Sequence, residues 1–172
     1  MTVTIYRPTG NGSYQQCHSS DGGSHYQKVD EAVANDGDTI YYYNGTAIDT
    51  FTFGFPTSGV DAIVSIKEYL RLGYMDPAVI GYGYPTFYKG SLSYGNAITI
   101  NHRNFVTYSQ VFYTNPFTGN PWLWSDLSNL QVGVKLSGGD GYYNCSCSQL
   151  YVEIEHVKIC ASDEDLIGLS SW

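Results

Sequence analysis

Residues Val29–Phe55 read VDEAVANDGDTIYYYNGTAIDTFTFGF, and this stretch decides the fold class. An acidic lead-in gives way to a tight Asp36-Gly-Asp38 turn, a tyrosine-rich strand, an Asn44-Gly turn and an alternating Phe/Thr strand. Asn-Gly is a strong hairpin signal, because the favoured two-residue turn needs positive φ at both central positions. The stretch therefore predicts one hairpin after another. It holds nothing that reads as a catalytic motif.

The same alternation of short β-prone runs and turn residues extends along the chain. Strands are expected at Val3–Arg7, Tyr26–Val29, Thr39–Tyr43, Thr50–Phe55 and Ala62–Tyr74. Others are expected at Thr86–Tyr94, Ala97–Asn101, Val106–Tyr113, Leu130–Leu136 and Gln149–Cys160. Runs such as Pro8-Thr-Gly-Asn-Gly-Ser and Ser137-Gly-Gly-Asp-Gly punctuate them. Many short strands at this spacing indicate an all-β sandwich or barrel rather than βαβ units. In Asp61–Tyr74, Ala62, Val64, Ile66, Leu70 and Leu72 share one face and Lys67, Tyr69 and Arg71 the other, as a strand with one wet face requires. A single helical turn is expected near residue 126, with Ser125 as its N-cap.

A length of 172 residues suits one domain, and 17 tyrosines with 19 glycines suit pleated strands joined by turns. The net charge of −8 and the scattered basic residues argue against nucleic acid and against an anionic membrane surface. No apolar run is long enough to span a bilayer as a helix. The start MTVTIYRPTGNG has neither a basic n-region nor an apolar h-region, so if Met1 is the true start, export by the usual route is not expected. The chain divides into an N-terminal strand (1–8), a sandwich (9–160) and a tail (161–172).

Four cysteines, Cys17, Cys145, Cys147 and Cys160, are disulfide candidates with three possible pairings. Cys145 and Cys147 share a strand face, so each needs its own partner. A Cys₄ zinc site is weaker without Cys-x-x-Cys spacing, and free thiols remain open. The sequons at Asn11, Asn44 and Asn144 are glycosylation candidates, although Asn-Gly turns account for two of them without any glycan. Glu153 and Glu155 lie about 7 Å apart on one strand face, a separation that glycosidases use. With no cleft that can be placed around them, an exposed polar face is the favoured reading. Asp36, Asp38 and Asp140 form no complete calcium loop, and the histidines lack metal spacing, so no cofactor or metal is expected. Tyr41, Tyr42 and Tyr43 must send rings to both faces of a strand, which offers a surface for protein contacts or sugar stacking.

The ordered elements PTGNGS, YQKVDE, DGDTIYY, DTFTF and Ala62-Ile-Val-Ser-Ile resemble a family of small proteins encoded by tailed bacteriophages and environmental viral genomes. So do Tyr113-Thr-Asn-Pro, Gly119-Asn-Pro-Trp122, Leu130-Gln-Val-Gly-Val and Ser148-Gln-Leu-Tyr-Val-Glu-Ile. The resemblance implies a jelly-roll-like antiparallel β-sandwich of about ten strands, serving as a non-enzymatic virion subunit of tail or capsid surface. Its partners would be copies of itself, other virion proteins or glycans. Assembly would run through strand-edge pairing, with Val3, Ile5 and Tyr6 donated to a neighbouring subunit. Two alternatives stand beside it: an extracellular, glycosylated filament subunit, and a carbohydrate-binding module. The expected setting is a virion or an extracellular filament.

Overall fold

Ten strands follow in chain order: β1 (Thr2–Tyr6), β2 (Pro8–Gln15), β3 (His18–Ser19), β4 (Ile40–Phe53), β5 (Ala62–Tyr74), β6 (Gly81–Tyr88), β7 (Leu92–Tyr94), β8 (Ile98–Ile100), β9 (Val106–Phe112) and β10 (Gln131–Val157). The computed structural model describes residues 1–59, 61–74 and 80–158, without the side chains of 44 and 139–144. Two short 3₁₀ turns, His25–Lys28 and Trp124–Leu127, are the only helical elements among the described residues.

Every strand pairing is antiparallel. The long strands β4 and β10 tie two sheets together. In the first sheet, β2, β4, the first half of β10 and β6 lie side by side, with β7 and β8 on the far edge of β6. In the second, the order is β1, the second half of β10, β5 and β9. The chain is thus an antiparallel β-sandwich. Its core lies between the sheets, where β5 contributes Ile66, Leu70 and Leu72, β10 contributes Val132, Val134 and Leu136, and Phe51 and Phe87 fill the middle. Phe87 of β6 meets Phe112 of β9 edge-to-face at 4.7 Å, a contact that spans the two sheets. Truncating a ring such as Phe87 to Ala costs about 3–5 kcal/mol.

The alternation in Ala62–Tyr74 forms β5 with the predicted bounds. Other readings need correction. Asn44-Gly45 is no hairpin: β4 runs straight through it, with Gly45 at φ +94. Pairing with β10 along both halves of β4 outweighs the local turn signal. Gln131–Leu136 and Gln149–Val157, from two strands expected separately, likewise belong to one long strand, β10, which carries register shifts around Asp140. Tyr26–Val29 is mostly a 3₁₀ turn rather than a strand. The supposed breaker Pro8–Ser13 is the edge strand β2, whose irregular register accommodates its glycines and proline. Thr86–Tyr94 splits into β6 and β7 at Gly90, which sits at φ +75. The helical turn near residue 126 is present, but its N-terminus is Leu123, whose backbone N–H donates to Asp126 Oδ2 at 3.0 Å.

The N-terminal strand, expected to leave for a neighbour, pairs instead with its own chain. β1 runs beside β10 without a register shift, from Thr2↔His156 to Tyr6↔Val152. Tyr6 turns inward and packs edge-to-face on Phe55 at 5.1 Å. A second tie holds the opposite flank. The wholly buried Asp49 accepts hydrogen bonds from the Gln16 and Cys17 backbone N–H groups and lies 2.6 Å from His25 Nδ1, fastening the β2–β3 link and the first 3₁₀ turn to β4. The residues 161–172 lie outside the described residues.

Candidate functional site

Strand parity turns one row of side chains on each strand of the second sheet away from the core. Val3 and Ile5 of β1, Tyr151, Glu153 and Glu155 of β10, Ser65, Lys67 and Tyr69 of β5, and Val111 of β9 thereby share an outer face. Cross-strand register orders them in rows: Val3–Glu155–Ser65, then Ile5–Glu153–Lys67–Val111, then Tyr151–Tyr69–Ser109. Tyr113, just past the end of β9, stands 68% exposed beside the first row. Val3, Ser65, Lys67, Val111, Tyr113, Glu153 and Glu155 line a shallow depression of about 260 Å³.

The third row is closed. Tyr69 and Tyr151 stack at 4.4 Å, Arg7 sits 5.0 Å above the outer face of this pair at Tyr151, and Lys67 Nζ lies 4.6 Å from the Tyr69 ring. These rings are occupied by each other and by cations. The rows beside them are polar, with Lys67, Glu153 and Glu155 half-buried and Ser65 buried at their floor. The Tyr69 hydroxyl donates to Glu153 at 2.8 Å, and Ser65 Oγ donates to Glu155 at 3.2 Å. Hydrogen bonds to Tyr69, above all, together with the nearby Glu153 carboxylate, hold the Lys67 ammonium above its ordinary pKa. The depression therefore offers two oriented carboxylates, one ammonium, a hydroxyl, two small apolar walls and a tyrosine ring, Tyr113, with no aromatic partner among the described residues.

Among the residues singled out from sequence, Val3 and Ile5 fall on this face next to Glu155 and Glu153, while Tyr6 does not. Lys67 and Tyr113 were not recognised as site residues. Their meeting with Glu153 and Glu155 depends on pairings separated by dozens of residues, for which one sequence carries no signal.

The tyrosine row sits elsewhere. His18 of β3 stacks on Tyr43 at 5.1 Å and on Tyr42 at 6.1 Å, with Tyr41 at 5.5 Å, so Tyr41 and Tyr42 are half-buried in this stack while Tyr43 stays 40% exposed. Cys17, Cys145 and Cys147 are buried free thiols rather than disulfide partners. Burial pushes the Cys147 thiol up to about 12 and raises Cys17 and Cys145 as well, which keeps all three unreactive. Cys160 lies outside the described residues, as do the side chains of Asn44 and Asn144. Asn11 donates to Gln15 at 2.8 Å and accepts from the Tyr26 backbone N–H at 2.9 Å, so its amide is already in use. The Asp-Gly-Asp carboxylates are also engaged: Arg71 grips Asp36 through two 2.7 Å hydrogen bonds, and Lys28 Nζ lies 2.9 Å from Asp38. No group of three metal-ligating side chains occurs among the described residues.

A second concavity, about 500 Å³, lies at the end of the sandwich, lined by Thr57, Gly59, Asp61 and Ile63 on one side and by Trp122 and Trp124 on the other. Trp124 donates to the Asp61 carbonyl at 2.6 Å, and Asp61 Oδ2 lies 2.7 Å from His156 Nδ1, whose Nε2 is 3.4 Å from Thr4 Oγ1. The Thr–His–Asp order imitates a hydrolytic triad. However, Thr4 and His156 do not line the groove, so a substrate there would meet Trp124 and Leu123 rather than the hydroxyl. The cluster braces the Trp124 turn against β1 and β10.

This is an antiparallel β-sandwich with a polar, tyrosine-flanked depression on one sheet face. No family model and no curated protein matches the chain. Among solved structures it is similar to the CBM36-1 domain of a multidomain xylanase from the hindgut metagenome of Trinervitermes trinervoides, at 12% identity and TM-score 0.47, covering 92% of this chain and 100% of that one. It is similar to the C-terminal CBM6 of LamC, a marine laminarinase from Zobellia galactanivorans, at 10% identity and TM-score 0.42, covering 90% of this chain and 100% of that one. It is also similar to the CBM22-1 xylan-binding domain of Xyn10C from Paenibacillus barcinonensis, at 12% identity and TM-score 0.46, covering 92% and 97%.

Proposed function

We propose that this chain is a non-enzymatic glycan-binding module whose site is the depression on the outer face of β1, β10, β5 and β9. The supporting observation is the exposed Tyr113 ring beside Glu153, Glu155 and Lys67. A pyranose presents an apolar C–H face and a rim of hydroxyls. The first suits a free tyrosine face, and the second suits paired carboxylates and an ammonium held in fixed positions. The depression is shallow and open, which fits a chain of sugars laid across a surface better than a small molecule enclosed for chemistry. Both carboxylates already accept a hydroxyl donor, so they are oriented as hydrogen-bond acceptors.

Calorimetric titration with a panel of soluble polysaccharides tests this reading. Binding to at least one neutral glycan is expected, and Tyr113→Ala should weaken it tenfold or more, with Glu155→Gln weakening it by a smaller factor. No binding across the panel by folded protein, or binding indifferent to both substitutions, would sink it.

A further inference from the structure

Among the described residues β1 pairs on one side only, with β10, and leaves its other edge without a strand partner. Such an edge presents a row of backbone donors and acceptors to solvent, and proteins commonly blunt it with charge, proline or a bulge. β1 carries none of these. Thr2–Tyr6 has no charged residue and no proline, and its register with β10 is unbroken, although the chain as a whole carries a net charge of −8. The edge strand of the other sheet, β2, is treated differently: Pro8 opens it and two register shifts interrupt it. The bare edge also carries exposed apolar side chains, Val3 at 54% and Ile5 at 52%.

We propose that β1 is a self-association edge, and that two copies of this chain join through it in antiparallel fashion about a twofold axis at Thr4. The sequence of the strand fits that axis. Pairing Thr4 with Thr4 of the second copy sets Val3 opposite Ile5 and Ile5 opposite Val3, on the same sheet face, with Thr2 opposite Tyr6. Two isolated exposed pairs then become one apolar strip, as an isologous contact requires. No charged side chain stands on the edge strand itself; the nearest acidic ones on this face, Glu153 and Glu155, lie one strand further in, on β10. The second sheets of the two copies merge into one continuous sheet. This inference does not depend on glycan binding, and it differs from strand donation because each copy keeps its own β1.

Light scattering coupled to size-exclusion chromatography tests it, with loading raised stepwise to about 1 mM. The wild-type mass should rise toward twice the monomer value. Ile5→Lys should weaken association at least tenfold, and the double substitution Val3→Lys with Ile5→Lys should leave a monomer at every loading. Val106→Lys, at an exposed position on the opposite edge strand β9, should leave association unchanged. All three positions tested are solvent-facing, and a thermal melt verifies that each variant folds. A wild type that stays monomeric at the highest loading would overturn the proposal. So would a dimer that survives the double lysine substitution, or one that is lost in Val106→Lys.

Discussion

Glu68 and Glu153 lie on neighbouring strands of the same sheet and face opposite ways. Glu153 points outward, opposite Lys67 in the β5–β10 register, and accepts from the Tyr69 hydroxyl. Glu68 points inward, opposite Val152, and is fully buried. Neither Glu68 oxygen meets a donor at hydrogen-bonding geometry among the described residues. Burial raises its pKa well above the ordinary 4.5, and the nearby Thr86 backbone counters only part of that effect. The difference separates two uses of one residue type. Carboxylates on the outer face are supplied with donors and held in orientation, as a recognition surface needs. The inner one is pushed toward its neutral form by burial among apolar side chains, which costs stability.

The comparison breaks most easily at Glu68. Replacing it with Leu should raise stability by about 1–4 kcal/mol, seen as a higher urea midpoint with an unchanged slope. A lower midpoint would mean that the carboxyl has a donor or a structural duty. The pH dependence sharpens the same point. Below about 4.5 the folded and unfolded chains both hold this proton; above it the unfolded carboxylate ionises while the buried one does not, so stability falls as pH rises. The melting temperature of the wild type should therefore fall between mildly acidic and neutral pH relative to that of Glu68→Leu. On the outer face the effects are smaller. Tyr69→Phe removes the donor to Glu153 and should cost about 1 kcal/mol or less in stability, together with a measurable loss of glycan affinity. Glu155→Gln should change stability by no more than about 0.5 kcal/mol, so any loss of binding in that variant reports on recognition rather than folding.

Much of the fold was legible because the bounds of β5 and the inward row Ile66, Leu70 and Leu72 follow from residue type alone, although a register shift at the start of the strand buries Ile63 in place of the expected Val64. The helical turn at Trp124–Leu127 was legible for a similar reason, being a short polar interruption between β-prone runs. The errors cluster where pairing partner outweighs local chemistry. Asn44-Gly45 is a strong hairpin dipeptide, yet β10 lies alongside both flanks and holds the strand extended through it. Pro8–Ser13 has the composition of a loop, but an edge strand tolerates proline and extra residues that a central one would not. The candidate site was legible only in pieces. Val3, Ile5, Glu153 and Glu155 each drew notice for unrelated reasons, and Glu68 drew none, although its inward parity follows from the alternation of its own strand. What remained hidden was register: that Ile5, Glu153, Lys67 and Val111 form one row is a property of three pairings, not of any segment.

β10 lies near the end of the described chain and pairs with β1, β4, β5 and β6. Strands made earlier can form local contacts, such as β6 with β7 and β2 with β4, but β1, β4, β5 and β6 have no common pairing partner until β10 is available. During synthesis, then, the first 130 or so residues emerge from the ribosome without the strand that unites them, and the sandwich closes in one late step. Until then Phe51 of β4, Ile66 and Leu70 of β5 and Phe87 of β6 lack the β10 residues that complete the core around them.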